Sequence, residues 1–216
     1  MVAAEDDGPP PDYLDTYEVE FGIVGPSALG DEAQSGIHQI LGAPEPLGWD
    51  SQLRDEFAFA ASFDRRWRAW RGFVNVPGGL EADLTPDAGL TLGTLRTEAR
   101  AGLTARIGWR IDNDYGPPRV RPSLAGVEHF RGGALSWSIF AGVQGRAVAH
   151  NLFLDGNTFE DSASVDRRPL VGDFQAGFAL SGGAWRMAYT YVVRSEEFET
   201  QGARQEFGAL ALSVRL

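Results

Sequence analysis

One side chain capable of acid–base work stands one helical turn from a side-chain amide in this sequence. Gln34 and His38 are four residues apart, the spacing that brings side chains together on one helix face. A neutral imidazole can take a proton from water near neutral pH. An amide beside it can hold that water or a substrate oxygen. The stretch around them has the marks of one short helix. Asp31 stands where an N-cap belongs, with Gln34 three residues on in a capping-box pattern. Gly42 and Pro44 supply a stop. Ala33, Ile37, Ile40 and Leu41 fall on one apolar stripe. Spacing alone is also compatible with a blander arrangement, in which Gln34 only closes the cap and His38 is a structural histidine.

Other groups carry less. Asp155-Gly156-Asn157 reads as a turn before it reads as a cation site. His150 and Asn151 fall at a strand end beside that turn, and His129 falls in a loop. Arg100, Arg106, Arg110, Arg146, Arg186 and Arg194 are able to bind lipid phosphates, but ion pairs with Glu18, Glu20, Glu81, Asp83 and Asp173 are the expected use. No Gly-x-Ser-x-Gly elbow occurs, so a serine nucleophile of that type has no support.

The elements that must position these residues are strands. Residues 1–12 are acidic and proline-rich, an expected disordered leader; residues 13–216 form one domain. Tyr17, Val19, Phe21 and Ile23 alternate with polar residues before the helix, and Phe57, Phe59, Ala61 and Phe63 alternate after it. The longest run sets Ala99, Ala101, Leu103, Ala105, Ile107, Trp109 and Ile111 against Arg100, Gly102, Thr104, Arg106, Gly108 and Arg110. That is more than twice the usual length of about 5–6 residues for a soluble strand. Similar runs follow around Trp137, Phe178, Tyr189 and Leu212, with residues 113–122 as a loop and Gly182-Gly183 as a tight turn. About eight long strands result.

Which face is wet decides the class. A single soluble barrel cannot hide 6 Trp and 13 Phe around a narrow axis. Turned inside out, the pattern is that of an all-β, antiparallel transmembrane β-barrel, apolar outward and Arg, Glu, Thr and Gly inward. Trp109, Trp137, Trp185, Tyr189 and Leu212 are then expected on the outer wall, and Arg100, Arg106, Arg146 and Arg186 inside. Zero cysteine removes disulfide and thiol chemistry. A net charge of −11 argues against a nucleic-acid partner.

Val24-Gly25-Pro26-Ser27-Ala28-Leu29-Gly30, then Gln34, His38 and Gly48-Trp49-Asp50 with Gln52, resembles the signature of the outer-membrane lipid A 3'-O-deacylase family. The likeness continues through Asn113-Asp114-Tyr115-Gly116-Pro117-Pro118, Gly145-Arg146-Ala147-Val148-Ala149-His150-Asn151 and Phe153-Leu154-Asp155-Gly156-Asn157-Thr158-Phe159. It closes with Glu197-Phe198, Gln201 and Phe207-Gly208. The resemblance implies a twelve-stranded barrel with the helix in an extracellular loop, in the bacterial outer membrane. It implies hydrolysis of the ester that holds the 3'-acyloxyacyl group of lipid A, with His38 as general base, Gln34 beside it and a calcium ion polarising the carbonyl. The partners it implies are lipopolysaccharide and outer-membrane lipid, with the protein a monomer.

The family's N-terminal Asn-Asp pair for calcium, its Tyr-Thr motif and a following basic residue have no counterpart here. Asp6, Asp7 and Asp12 lack the strand context, and the first residues show no signal peptide. The chain is therefore expected to begin part-way into a longer gene product, about eight strands of twelve, to curl as an open sheet, and to be inactive alone. Two other readings are a non-catalytic structural or pore barrel that keeps the scaffold and, less favoured by the arginines, a soluble lipid-binding barrel.

Overall fold

The computed structural model describes residues 12–44, 46–73, 79–111 and 133–214. The acidic leader, the loop at 113–122, His129 and Leu216 lie outside those residues. Nine strands form one antiparallel sheet: β1 (Tyr13–Val24), β2 (Glu56–Trp67), β3 (Trp70–Phe73), β4 (Glu81–Gly93), β5 (Arg96–Trp109), β6 (Gly133–Asn151), β7 (Leu170–Gly183), β8 (Trp185–Arg194) and β9 (Gln205–Val214). Eight lie in the order β1-β2-β4-β5-β6-β7-β8-β9, and the short β3 pairs with β4. Helix α1 (Gly30–Leu41) follows β1, and a single turn, α2 (Leu152–Asp155), follows β6. No helix among the described residues is long and apolar enough to cross a membrane.

The alternation sorts the residues as the inside-out pattern requires. Trp109, Trp137, Trp185, Tyr189 and Leu212 are exposed on the outer wall, while Arg100, Arg106 and Arg186 are buried. Arg186, Thr85, Thr91, Thr190 and Asp83 are among the largest fully buried side chains. A water-soluble protein hides Leu and Phe and exposes Arg; the reversal rules out the soluble barrel. Trp109 and Trp137 are cross-strand partners, and Trp185 opens β8 at the same end, the end opposite α1. Trp67 and Trp70, at the junction of β2 and β3, join them. These five exposed rings form an aromatic girdle at one membrane–water boundary.

Buried charge is held in pairs. The Arg100 guanidinium donates to both Asp64 oxygens, at 2.8 and 2.5 Å, and to Thr91 Oγ1 at 2.8 Å. Arg106 grips Asp83 with two nitrogens, Nε at 2.8 Å, and Arg194 Nε donates to Asp173 Oδ1 at 2.8 Å. The inner face needs small residues where these side chains cross. At Gly89 a Cβ would lie 2.1 Å from Asp64 Oδ1.

Arg96 on β5 also reaches Glu20 on β1. Three interstrand steps separate those strands, about 14 Å in a flat sheet, so the contact requires a concave inner face. No ladder joins β1 to β9 among the described residues. The sheet is an open, curled half-barrel, as the count of strands leads one to expect.

Several details depart from the sequence pattern. The run through Arg65 and Trp70 breaks into β2 and β3, with Arg68 and Ala69 between them. Ala69 N–H still bonds the Leu84 carbonyl at 3.2 Å. Pro86 of β4 falls at this break, between Asp87, paired with Arg66, and Leu84, paired with Trp70. Its missing N–H thus costs no ladder bond, which is how a proline survives inside a strand. The alternation of β5 also ends at Trp109, two residues before the end of the expected run. Arg110 takes a left-handed φ of 55° and is exposed, and Ile111 turns inward and is buried. The expected places of these two residues are exchanged.

Val143 lies near mid-height on the outer wall, level with Leu103 and Phe174. Val143→Arg should cost about 2–4 kcal/mol in lipid. Urea unfolding from vesicles measures it; an unshifted transition would mean this wall does not face hydrocarbon.

Candidate functional site

Helix α1 starts without the expected capping box. Its N-cap is Leu29, in left-handed geometry at φ 56°, and no side chain caps it. Asp31 lies inside the first turn, where its charge favours the helix dipole, and its Oδ1 accepts from Ser35 Oγ at 3.0 Å. The stop is as expected: Gly42 is left-handed at φ 64°, and Ala43 N–H bonds the His38 carbonyl at 2.9 Å. No residue of α1 is buried, and the stripe at Ile37, Ile40 and Leu41 is exposed.

Gln34 is exposed, and His38, one turn on, is half-buried. His38 Nδ1 lies 2.6 Å from the Pro44 carbonyl oxygen. A carbonyl only accepts, so the proton sits on Nδ1 and the Nε2 lone pair is free. The imidazole is thereby oriented by the chain just past the helix.

The segment leaving β1 is pinned to the segment entering β2. Ser27 N–H and Oγ–H both donate to the Asp55 carboxylate, each at 2.7 Å. These two donors hold the Asp55 carboxyl below the usual carboxylate range. Trp49, of the Gly48-Trp49-Asp50 signature, packs on Gly30, where a Cβ would meet its ring at 2.9 Å. A depressed carboxylate stabilises only while ionised: its contribution is whole above the ordinary Asp range and is lost as pH falls through the lower folded value. Protection of the Ser27 amide from hydrogen exchange, relative to its intrinsic rate, should therefore fall on acidification below the ordinary Asp range. Asp55→Asn should show weak protection at every pH, and wild-type protection that does not change with pH would contradict this.

The family model for the outer membrane protein LpxR matches residues 5–216. The chain belongs to the LpxR family. Among solved structures, LpxR from Salmonella typhimurium shares the fold, with a TM-score of 0.80 at 21% identity over 94% of this chain and 68% of that one. No curated protein matches. The barrel wall and the LpxR family together place the protein in the outer membrane.

Among the described residues of this LpxR-family chain, no group of three or more His, Asp or Glu side chains can hold a metal. Near α1, Ser27 is engaged with Asp55 and Asp31 with Ser35. This donor set does not fit the six to eight oxygens that calcium takes. His150 is braced on both nitrogens, by the Thr94 carbonyl at 2.8 Å and Asp155 at 3.2 Å. Asn151 caps α2 through the Phe153 N–H at 3.1 Å. Both are structural, at the end of β6 as expected. Arg100, Arg106 and Arg146 face inward in ion pairs, away from the lipid.

Sequence reading missed the Pro44 carbonyl, the Ser27–Asp55 pair and the part Asn157 plays. Asn157 stood in the quoted Asp-Gly-Asn-Thr block, but only as a turn residue. Its partner, Arg54, is 103 residues away.

Proposed function

We propose that this LpxR-family chain supplies His38 as general base, with Gln34 as its neighbour, to a site that hydrolyses the ester carrying the 3'-acyloxyacyl group of lipid A, the chain by itself being inactive. The observation that carries the reading is the Nδ1-to-Pro44 hydrogen bond, which supports a free Nε2 lone pair on an exposed helix beyond the membrane wall. Calcium dependence is implied by the family resemblance and has no assigned ligands among the described residues. The residues' own parts follow from their chemistry.

Nε2 takes a proton from water as its oxygen attacks the ester carbonyl. The acyl–oxygen bond then breaks, and the proton passes to the departing sugar oxygen. The products are a free 3'-hydroxyl and the acyloxyacyl carboxylic acid. Pro44 keeps the imidazole oriented and supports the imidazolium by accepting from Nδ1. Gln34, one turn away, holds the water or a substrate oxygen through its amide.

Gln34→Ala, in the full gene product, should lower kcat/KM by about tenfold, the worth of one hydrogen bond of ordinary strength. Turnover of lipid A in detergent micelles measures it. A Gln34→Ala enzyme with unchanged kcat/KM would remove Gln34 from the site.

A further inference from the structure

The excursion carrying α1 leaves and rejoins the sheet through a narrow neck. Gly25 on the way out lies against Arg54 and Asp55 on the way back. A Cβ there would stand 2.6 Å from the Arg54 carbonyl carbon, and its φ of 100° suits only glycine. The Ser27–Asp55 pair closes the neck from one side.

The other side is closed by a distant loop. Asn157, between β6 and β7, accepts the Arg54 N–H on Oδ1 at 2.9 Å and donates from Nδ2 to the Arg54 carbonyl at 2.9 Å. One side-chain amide thus pairs with one backbone residue, as a neighbouring strand would. Nδ2 also donates to Glu56 Oε2 at 3.0 Å, and Thr158 N–H donates to the same oxygen at 2.8 Å. Strands β4 and β5 separate β2 from β6, so the loop crosses about 14 Å of the barrel mouth to make these bonds.

The loop is itself braced. Asn157 N–H bonds Ser162 Oγ at 2.7 Å, and Gly156, at φ 87°, leaves no room for a Cβ beside that oxygen. Asp155 takes the Asn151 N–H at 2.7 Å and Arg167 Nε at 2.9 Å. A braced loop gripping a pinched neck transmits its position to whatever the neck supports.

We propose that Asn157 is a positioning residue: by fixing Arg54 it sets the direction in which α1 presents Gln34 and His38, without touching substrate. The inference rests on the reading of His38 as the base. Arg54 is exposed, so water replaces its lost partners when Asn157 is truncated, and the buried Glu56 Oε2 keeps the Thr158 N–H; the sheet stays formed while the neck loses its constraint. Asn157→Asp is the sharper change. It keeps an acceptor for the Arg54 N–H, removes the donor, and sets a carboxylate against Glu56 and the Arg54 carbonyl.

The test compares the full gene product with Asn157→Ala, Asn157→Asp and, as a control, Glu160→Gln, which removes only the exposed Arg54–Glu160 pair. Both Asn157 variants should lose about 10- to 100-fold in kcat, the effect of displacing a base by a fraction of an ångström to an ångström. Their KM should stay at the wild-type value, because Asn157 does not touch substrate. Glu160→Gln should stay within about twofold, as an exposed pair contributes little. Hydrogen exchange should accelerate across residues 25–55 in the Asn157 variants and remain unchanged in β5 to β8. Wild-type kcat, or unchanged exchange at 25–55, overturns the proposal. So does an Asn157 variant whose sheet fails to form, since Asn157 would then support the barrel rather than the helix. If the wild type releases no acyl chain, the His38 reading fails, and the exchange comparison alone decides whether Asn157 sets the helix.

Discussion

His38→Ala in the full gene product should lower kcat for release of the 3'-acyloxyacyl group by about 10²–10⁴, the usual contribution of a positioned general base. Little else should change. His38 is half-buried on a helix with no buried residue, and among the described residues its side chain's hydrogen bond goes to the Pro44 carbonyl. Removing it leaves no cavity in a packed core and no buried partner unsatisfied. The variant should therefore insert and unfold like wild type, and KM should hold. His38→Gln keeps a donor for Pro44 but has no basic nitrogen, so it should be as slow as alanine. If glutamine restores activity, the residue orients the loop and the base lies elsewhere. Steady-state turnover beside urea unfolding in the same vesicles separates the outcomes.

The second large effect lies in the wall. Arg106 and Asp83 are each only 1% exposed and bind through two nitrogens and two oxygens. Breaking such a pair takes the counter-charge from a guanidinium held away from water, so Asp83→Ala should cost about 3–5 kcal/mol. Replacing both residues by apolar side chains of similar volume removes the buried charge with the pair, and such exchanges are often neutral or stabilising by about 1–4 kcal/mol. Asp83→Leu with Arg106→Met should thus be much more stable than Asp83→Ala alone. Equal losses in the single and double variants would mean that the pair is solvated and that the inner face is wetter than its burial indicates.

What the sequence disclosed follows from the range of each interaction. Alternation is a local property, so the outward Trp109 and Trp137 and the inward Arg100 and Arg106 could be read from spacing once the wet face was decided. The partners of those arginines were harder. Asp83 was among the acids named for the lumen, whereas Asp64, on a strand two places away from β5, was not. Local exceptions escaped where one backbone angle overrules the pattern: Arg110 at φ 55° exchanges faces with Ile111, and Leu29 at φ 56° takes the cap position that Asp31 was expected to hold.

The site was legible only in part for the same reason. Gln34 and His38 are neighbours by helical spacing, and the structure places both on α1. The groups that orient them act through the backbone: the Pro44 carbonyl on His38, and the Arg54 amide and carbonyl on Asn157. Backbone groups have no signature in residue identity. An asparagine that bridges 103 residues looks, in sequence, like any other turn asparagine.

The most direct test of the account is the mass spectrum of lipid A from cells expressing the full gene product, the His38→Ala variant or neither. Wild type should yield lipid A lighter by the 3'-acyloxyacyl group, while His38→Ala should yield the unmodified species found without the protein. Unmodified lipid A from cells in which wild type is folded in the outer membrane would contradict it and leave a barrel that keeps the scaffold without the chemistry. Full trimming by His38→Ala would contradict the role given to His38.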